Sequence, residues 1–191
     1  DARIARRIKG TFTVPCYLQG AGCPVGSRFN YASRSADARP VQKPGNVMTA
    51  TLECSIPARA LTETARIAQY GHGLLGRARQ IDEDNIRAMQ AEHNYVYCAT
   101  DWSGMSAEDV PYAVQILQDM SKFPAFADRI QQGYLNQLYL SRLMLHPQGL
   151  ASHPAFQVAG RPVFDGRELF WDSNSQGGIM GTALMAIGPD I

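Results

Sequence analysis

Hydrophobic positions change their period near the end of the first third of this chain. Up to Pro57 they alternate: residues 11–14 and 27–31 read as short strands, and 46–56 as a longer one with Met48, Ala50, Leu52, Cys54 and Ile56 on one face. The connections at 20–26 and 37–45 are rich in Gly and Pro, with Pro40 and Pro44 in the second. That pattern predicts an antiparallel opening. Beyond Pro57, strand and helix patterns alternate. Residues 64–70 read as a strand, 71–76 as a loop, 82–91 as a helix with Ile86 and Met89 inward, and 95–100 as another strand. A strand–helix–strand unit needs a right-handed crossover and gives a parallel pair. Residues 107–120 predict a helix interrupted near Pro111. Residues 126–145 predict a stronger one with an apolar stripe of Ile130, Leu135, Leu138, Leu143 and Met144, stopping before Pro147. Turn material at 146–149 and 153–154 follows, then a strand, and no internal repeat or low-complexity segment is present.

The stretch 169–181 organises the rest. Leu169, Phe170 and Trp171 form an apolar run of strand type, while 176–187 carries Ile179, Met180, Leu184 and Met185 at helical spacing. Ser175 stands at the apex between them. The sequence around it matches a Gly-x-Ser-x-Gly nucleophile elbow at Ser175 and Gly177, with Ser173 in place of the first glycine. Small residues are required there because the nucleophile's backbone is strained and strand and helix approach closely. Two other readings stand beside it. One is an ordinary strand-to-helix turn in which Gly177, Gly178 and Gly181 allow tight packing; the other is a phosphate loop, but the paired glycines it needs are missing and no acidic residue can follow 20 positions later.

Composition narrows the partners. The 191 residues are 45% hydrophobic and 18% charged with a formal net charge of +1, as in one globular domain or a large piece of one. A near-neutral balance gives no electrostatic case for nucleic acid, and no apolar run reaches the roughly 18 residues of a transmembrane segment. The basic start, Arg3, Arg6, Arg7 and Lys9, reads as the solvated edge of a first strand. Opening at Asp1 fits a processed product. Four cysteines without a Cys-x-x-Cys allow three pairings and give no support to zinc; Cys16 and Cys23 flank a turn-rich loop that can join them. Four buried free thiols are the other possibility.

A second piece of chemistry lies upstream. Residues 70–76, Tyr-Gly-His-Gly-Leu-Leu-Gly, follow the first parallel strand, and His-Gly before apolar residues turns backbone N–H groups toward an oxyanion. With the elbow at Ser175, the chain resembles the α/β-hydrolase superfamily over roughly residues 47–186, and its loop is similar to that of esterases and lipases. The order agrees: loop after the third strand, helix, fourth strand ending at Asp101-Trp102, further helices, nucleophile after the fifth strand. The resemblance implies an α/β-hydrolase fold, a mostly parallel sheet with antiparallel N-terminal strands, and no cofactor. It assigns Ser175 as nucleophile attacking a small-molecule or lipid ester, with Gln176 N–H and Leu74 N–H as oxyanion donors, each worth about 3 kcal/mol in a dry site. His72 and Gly73 shape the loop, and Asp101 and Trp102 line the pocket rim or cap the next segment; Leu74 as plain core is the alternative. The second strand of such a sheet runs antiparallel beside the fourth, so Cys54 and Cys98 become cross-strand neighbours if the register is offset. Two disulfides would place the protein outside the reducing cytosol, secreted or periplasmic.

Part of the machinery is missing. In this family acid and histidine follow the serine, whereas His72, His93, His146 and His153 all precede Ser175 and only 16 residues follow it. The chain is therefore expected to be the N-terminal part of one hydrolase domain, antiparallel over 1–57 and β/α over 58–191, incomplete by itself. The C-terminal remainder of that domain would supply the triad acid and base and cover the edge strand before Ser175. A catalytically incomplete binding module on the same fold is the competing expectation.

Overall fold

In a computed structural model describing residues 2–191, five strands form one mixed sheet in the order β1-β2-β4-β3-β7. β1 (Ile4–Pro15) and β2 (Val47–Pro57) pair antiparallel over almost their whole length. β2 runs antiparallel beside β4 (Tyr95–Ala99), and β3 (Ala65–Gly71) runs parallel to both β4 and β7 (Phe164–Ser173). Between β3 and β4 lies α1 (Asp84–His93). α2 (Val110–Gln118) and α3 (Phe123–Leu145) precede a small hairpin of β5 (Gln157–Val158) and β6 (Arg161–Pro162), and α4 (Gln176–Ile187) follows β7. The molecule is thus of α/β class.

β2 shows the alternation read from its sequence: Met48, Ala50, Leu52, Cys54 and Ile56 are all buried. β1 is longer than its apolar core 11–14 because Arg6, Arg7 and Lys9 continue the strand at a solvated sheet edge, where Arg7 pairs with Asp82 and Lys9 with Glu53. Residues 27–31 are not a strand. They make only isolated bridges, Leu18 with Phe29 and Tyr31 with Pro40, inside a long loop tied by Cys16–Cys23 and by Asp128, which accepts from the Phe29 N–H. Pro111 does not interrupt a helix either. It sits in the first turn of α2, where its missing N–H costs nothing.

Both disulfides form, and no described cysteine is free. The β2–β4 pairing is short, Glu53 to Ser55 against Tyr97 to Ala99, and strongly offset, which brings Cys54 and Cys98 directly opposite with Cα atoms 4.1 Å apart. This bond fastens the antiparallel half of the sheet to the parallel half.

α3 departs most from its predicted pattern. Met144 is buried as expected, with Leu140, but Gln132, Asn136, Gln137 and Ser141 are buried as deeply, while Ile130, Leu135, Leu138 and Leu143 are only partly so. Gln137 donates to the Thr100 carbonyl and Gln69 donates to Gln137, and Ser141 donates to Gln69, so each polar group finds a partner. On α1, Ile86 is inward as expected, but Met89 is 44% exposed. α3 crosses the sheet from its carboxyl to its amino end, since Gly133 abuts the Ser103 backbone and the Met144 and Leu145 carbonyls lie near Gly166 at the start of β7. Everything after α3 therefore begins at the end of the sheet opposite to Ser175.

α4 sits against β3 because two glycines lack side chains. A β-carbon on Gly177 would lie 2.1 Å from the Gly71 carbonyl oxygen, and one on Gly181 would lie 2.1 Å from Trp171 Nε1. Gly178, one position on, would meet only Ser173 Oγ at an ordinary 3.6 Å. Gly177→Ala is therefore expected to destabilise by at least about 2 kcal/mol, whereas Gly178→Ala changes stability by no more than about 1 kcal/mol in the stabilising direction. Denaturant unfolding of the two variants checks the contrast.

Candidate active site

The end of β7 turns into α4 within two residues. Asn174 donates its N–H to the Gly71 carbonyl, and the Gly177 N–H returns to the Asn174 carbonyl. Ser175 is left with φ +50° and ψ −115°, a conformation foreign to L residues and costing about 1–3 kcal/mol. Its side chain is exposed, and its carbonyl accepts from the Gly178 N–H of the first turn of α4. Such strain persists only where the surroundings overdetermine it. Here the Gly71–Gly177 contact and the paired hydrogen bonds do so.

The loop after β3 lies alongside. A β-carbon on Gly73 would stand 3.7 Å from Ser175 Cβ and 3.4 Å from Asn174 Nδ2. The Gly73 carbonyl accepts twice, from the Gly76 N–H at 3.0 Å and from His72 Nδ1 at 2.8 Å. Because a trans peptide is planar with N–H and C=O opposed, this clamp turns the Leu74 N–H the other way. Neither Leu74 N–H nor Gln176 N–H has a hydrogen-bond partner among the described residues. Leu74 is 60% exposed, which removes the plain-core alternative for it.

His72 is fully buried, and both ring nitrogens are used. Nε2 accepts the Trp102 N–H at 2.9 Å, which makes Nδ1 the protonated nitrogen donating to Gly73. The ring is a neutral strut between two loops, with no free nitrogen to serve as a base. Burial pushes its pKa below the usual histidine value, opposed in part by the Gly73 carbonyl and the carboxylates of Asp101 and Asp109.

Asp101 is half-buried and acts as a cap, and Trp102 does not line an open rim. Asp101 accepts the Ala78 N–H at 2.6 Å and so caps the one-turn segment Ala78–Asp82 that follows the loop. Trp102 is completely buried, edge-on to Trp171 and Tyr134 and packed with Met180 and Leu184, so it anchors α4 and α3 to the sheet. A tryptophan next to a strand end reads as easily as a pocket wall; only the packing of α4 separates the two.

Gly177 and Gly181 are consumed by packing, as the ordinary strand-to-helix reading has it, while Gly178 is not. Gly71 and Ser173 are register partners at the ends of β3 and β7. Asp172, beside Ser173, accepts from Tyr97 Oη at 2.7 Å and from its neighbour's N–H. Burial first, and then this carboxylate, push the Tyr97 phenol above its ordinary range.

The remaining histidines lie elsewhere. His93 ends α1. His146 and His153 are exposed, accept from the backbone N–H groups of Gln148 and Ala155, and follow α3 at the amino end of the sheet. Among the described residues no group of three or more His, Cys, Asp or Glu is arranged to hold a metal ion. Gln80, which no motif singled out, accepts the Gly73 N–H at 2.8 Å.

No family model matches the chain, and no curated protein matches it. Among solved structures it aligns with acetyl xylan esterase 1 from Thermoanaerobacterium sp. JW/SL YS485 at 15% identity and a TM-score of 0.46, over 85% of this chain and 49% of that one. The chain spans about half the length of that structure.

The His72 strut carries a pH signature. A base whose folded pKa is depressed binds its proton more readily in the unfolded chain, so its contribution to stability is complete above the unfolded value of about 6.5 and declines below it. Unfolding free energy is expected to fall as pH drops from 7.5 to 5.5. His72→Gln is expected to be less stable at pH 7.5 by about 1–3 kcal/mol yet to lose less on acidification. Parallel pH slopes for the two proteins would remove the argument.

Proposed function

We propose that this chain carries the nucleophile and oxyanion loop of a serine hydrolase cleaving carboxylic esters, and that it is the N-terminal part of an α/β-hydrolase domain, antiparallel over 1–57 and β/α over 58–191. The observation that carries the reading is the apposition of Gly73 to a strained, exposed Ser175, with the next N–H after each, Leu74 and Gln176, left without a partner among the described residues. β2 lying antiparallel beside β4, the loop following the third strand, and Ser175 following the fifth strand of the sheet also support it.

In this mechanism Ser175 Oγ attacks the ester carbonyl, its proton passing to a histidine base, and the acyl-enzyme forms as the ester C–O bond breaks and the alcohol leaves with that proton. The carbonyl oxygen becomes negative as the bond forms. Leu74 N–H and Gln176 N–H, the latter at the positive end of α4, bind that oxygen. Water then hydrolyses the acyl-enzyme by the same base in reverse. No described residue supplies the base, β7 is an edge of the sheet, and Phe170 on it and Ile179 and Ile187 on α4 are exposed. We assign the missing acid, base and edge cover to further polypeptide of the same domain. Two disulfides suit an oxidising compartment, secreted or periplasmic, and no described helix is long and apolar enough to cross a membrane.

A binding module is the second reading, favoured by one observation: no histidine or carboxylate among the described residues hydrogen-bonds the Ser175 hydroxyl. A serine-directed phosphonate applied to the complete protein separates the two. The hydrolase reading expects labelling at Ser175, metal-independent turnover of short activated esters, and a loss in kcat of about 10⁴-fold or more in Ser175→Ala with the fold retained. An unlabelled serine in the intact protein would leave the binding module.

A further inference from the structure

Gln80 bridges the segment Ala78–Asp82 to the loop before it. Its Oε1 accepts the Gly73 N–H at 2.8 Å, and its Nε2 donates to Glu83 Oε1 at 3.1 Å. The Glu83 contact fixes which way the amide faces. Turned over, it would set an NH₂ against the Gly73 N–H and an oxygen against a carboxylate, replacing two hydrogen bonds with two repulsions. Asp101 holds the base of the same segment through the Ala78 N–H, so Gln80 reaches the loop from a fixed support.

Consider what this does to the backbone at Gly73. The peptide on its carboxyl side is held by its carbonyl, through His72 Nδ1 and the Gly76 N–H. The peptide on its amino side is held by its N–H, through Gln80. With both planes fixed, the φ and ψ of Gly73 are determined, although glycine is the residue with the widest backbone freedom. The direction of the Leu74 N–H depends on those two angles.

We propose that Gln80 is a positioning residue for the oxyanion loop: it captures the Gly73 N–H so that the Leu74 N–H is held toward the oxygen that develops on an ester attacked by Ser175. The proposal rests on the ester-hydrolase reading. Gln80 touches neither substrate nor the reacting atoms; it acts through the loop.

The test uses the complete protein, an aryl phosphonate as probe of Ser175 and a short aryl ester as substrate. Gln80→Met keeps the side-chain bulk and removes the acceptor. It is expected to slow phosphonylation and kcat by about 10- to 100-fold, with KM changed less than about threefold and the thermal midpoint retained. The exchanged pair Gln80→Glu with Glu83→Gln rebuilds both hydrogen bonds with the acceptor still facing Gly73, and is expected to recover most of the lost rate. Phosphonylation of Gln80→Met at the wild-type rate would overturn the proposal and leave the hydrolase reading standing, as would an exchanged pair as slow as Gln80→Met while folded. Absence of any labelling of Ser175 in the wild-type protein would instead sink the hydrolase reading, and this proposal with it.

Discussion

A backbone-on-backbone contact, the end of β3 against the first turn of α4, governs the arrangement of this molecule. At Gly177 the helix comes so close to the Gly71 carbonyl that no side chain fits between them. From that contact follow the abrupt turn after Ser173, the positive φ of Ser175 and the outward direction of its side chain. It also brings the loop after β3 within reach of the serine. Trp171 and Trp102 fill the space behind, so the packing that anchors α4 also holds the turn.

The loop is built as firmly as the turn, by different means. Its single histidine is a structural part: buried, neutral and bonded at both nitrogens, it ties the β3 loop to the β4 loop through the Trp102 N–H. Polar side chains elsewhere play comparable roles. Asp109 gathers the Gly104 and Ser106 N–H groups and an Arg129 ion pair, and the Gln69–Gln137–Ser141 chain sets α3 on the sheet. Buried networks of this kind specify one arrangement more than they stabilise it. They lie around the carboxyl ends of the strands, where geometry has to be kept.

Much of this was legible in the sequence because local chemistry and period decide it. The alternation over 46–56, the helix after Ser175 and the loop between Cys16 and Cys23 each follow from neighbours within a few positions. The offset that lets Cys54 face Cys98 was inferable from strand direction once a sheet order was assumed. Residues 27–31 failed because a β-type pattern without room in a sheet forms only bridges. The polar part of α3's inner face is not legible, because an apolar period does not reveal that the Pro15 and Thr100 carbonyls, the Ser103 hydroxyl and Gln69 draw Gln132, Asn136 and Gln137 inward. The burial of Trp102 depends on α4 packing over it, which its place after β4 does not show, and Gln80 carries no sequence signal, since its partner Gly73 is defined only by the fold.

The central claim is geometric, and a structure of the complete protein after reaction with an aryl phosphonate tests it most directly. The account predicts phosphorus bonded to Ser175 Oγ and one phosphonyl oxygen about 2.7–3.1 Å from both Leu74 N and Gln176 N. An adduct whose oxygens face solvent while those two N–H groups stay unengaged, or phosphorus on any other side chain, would contradict it.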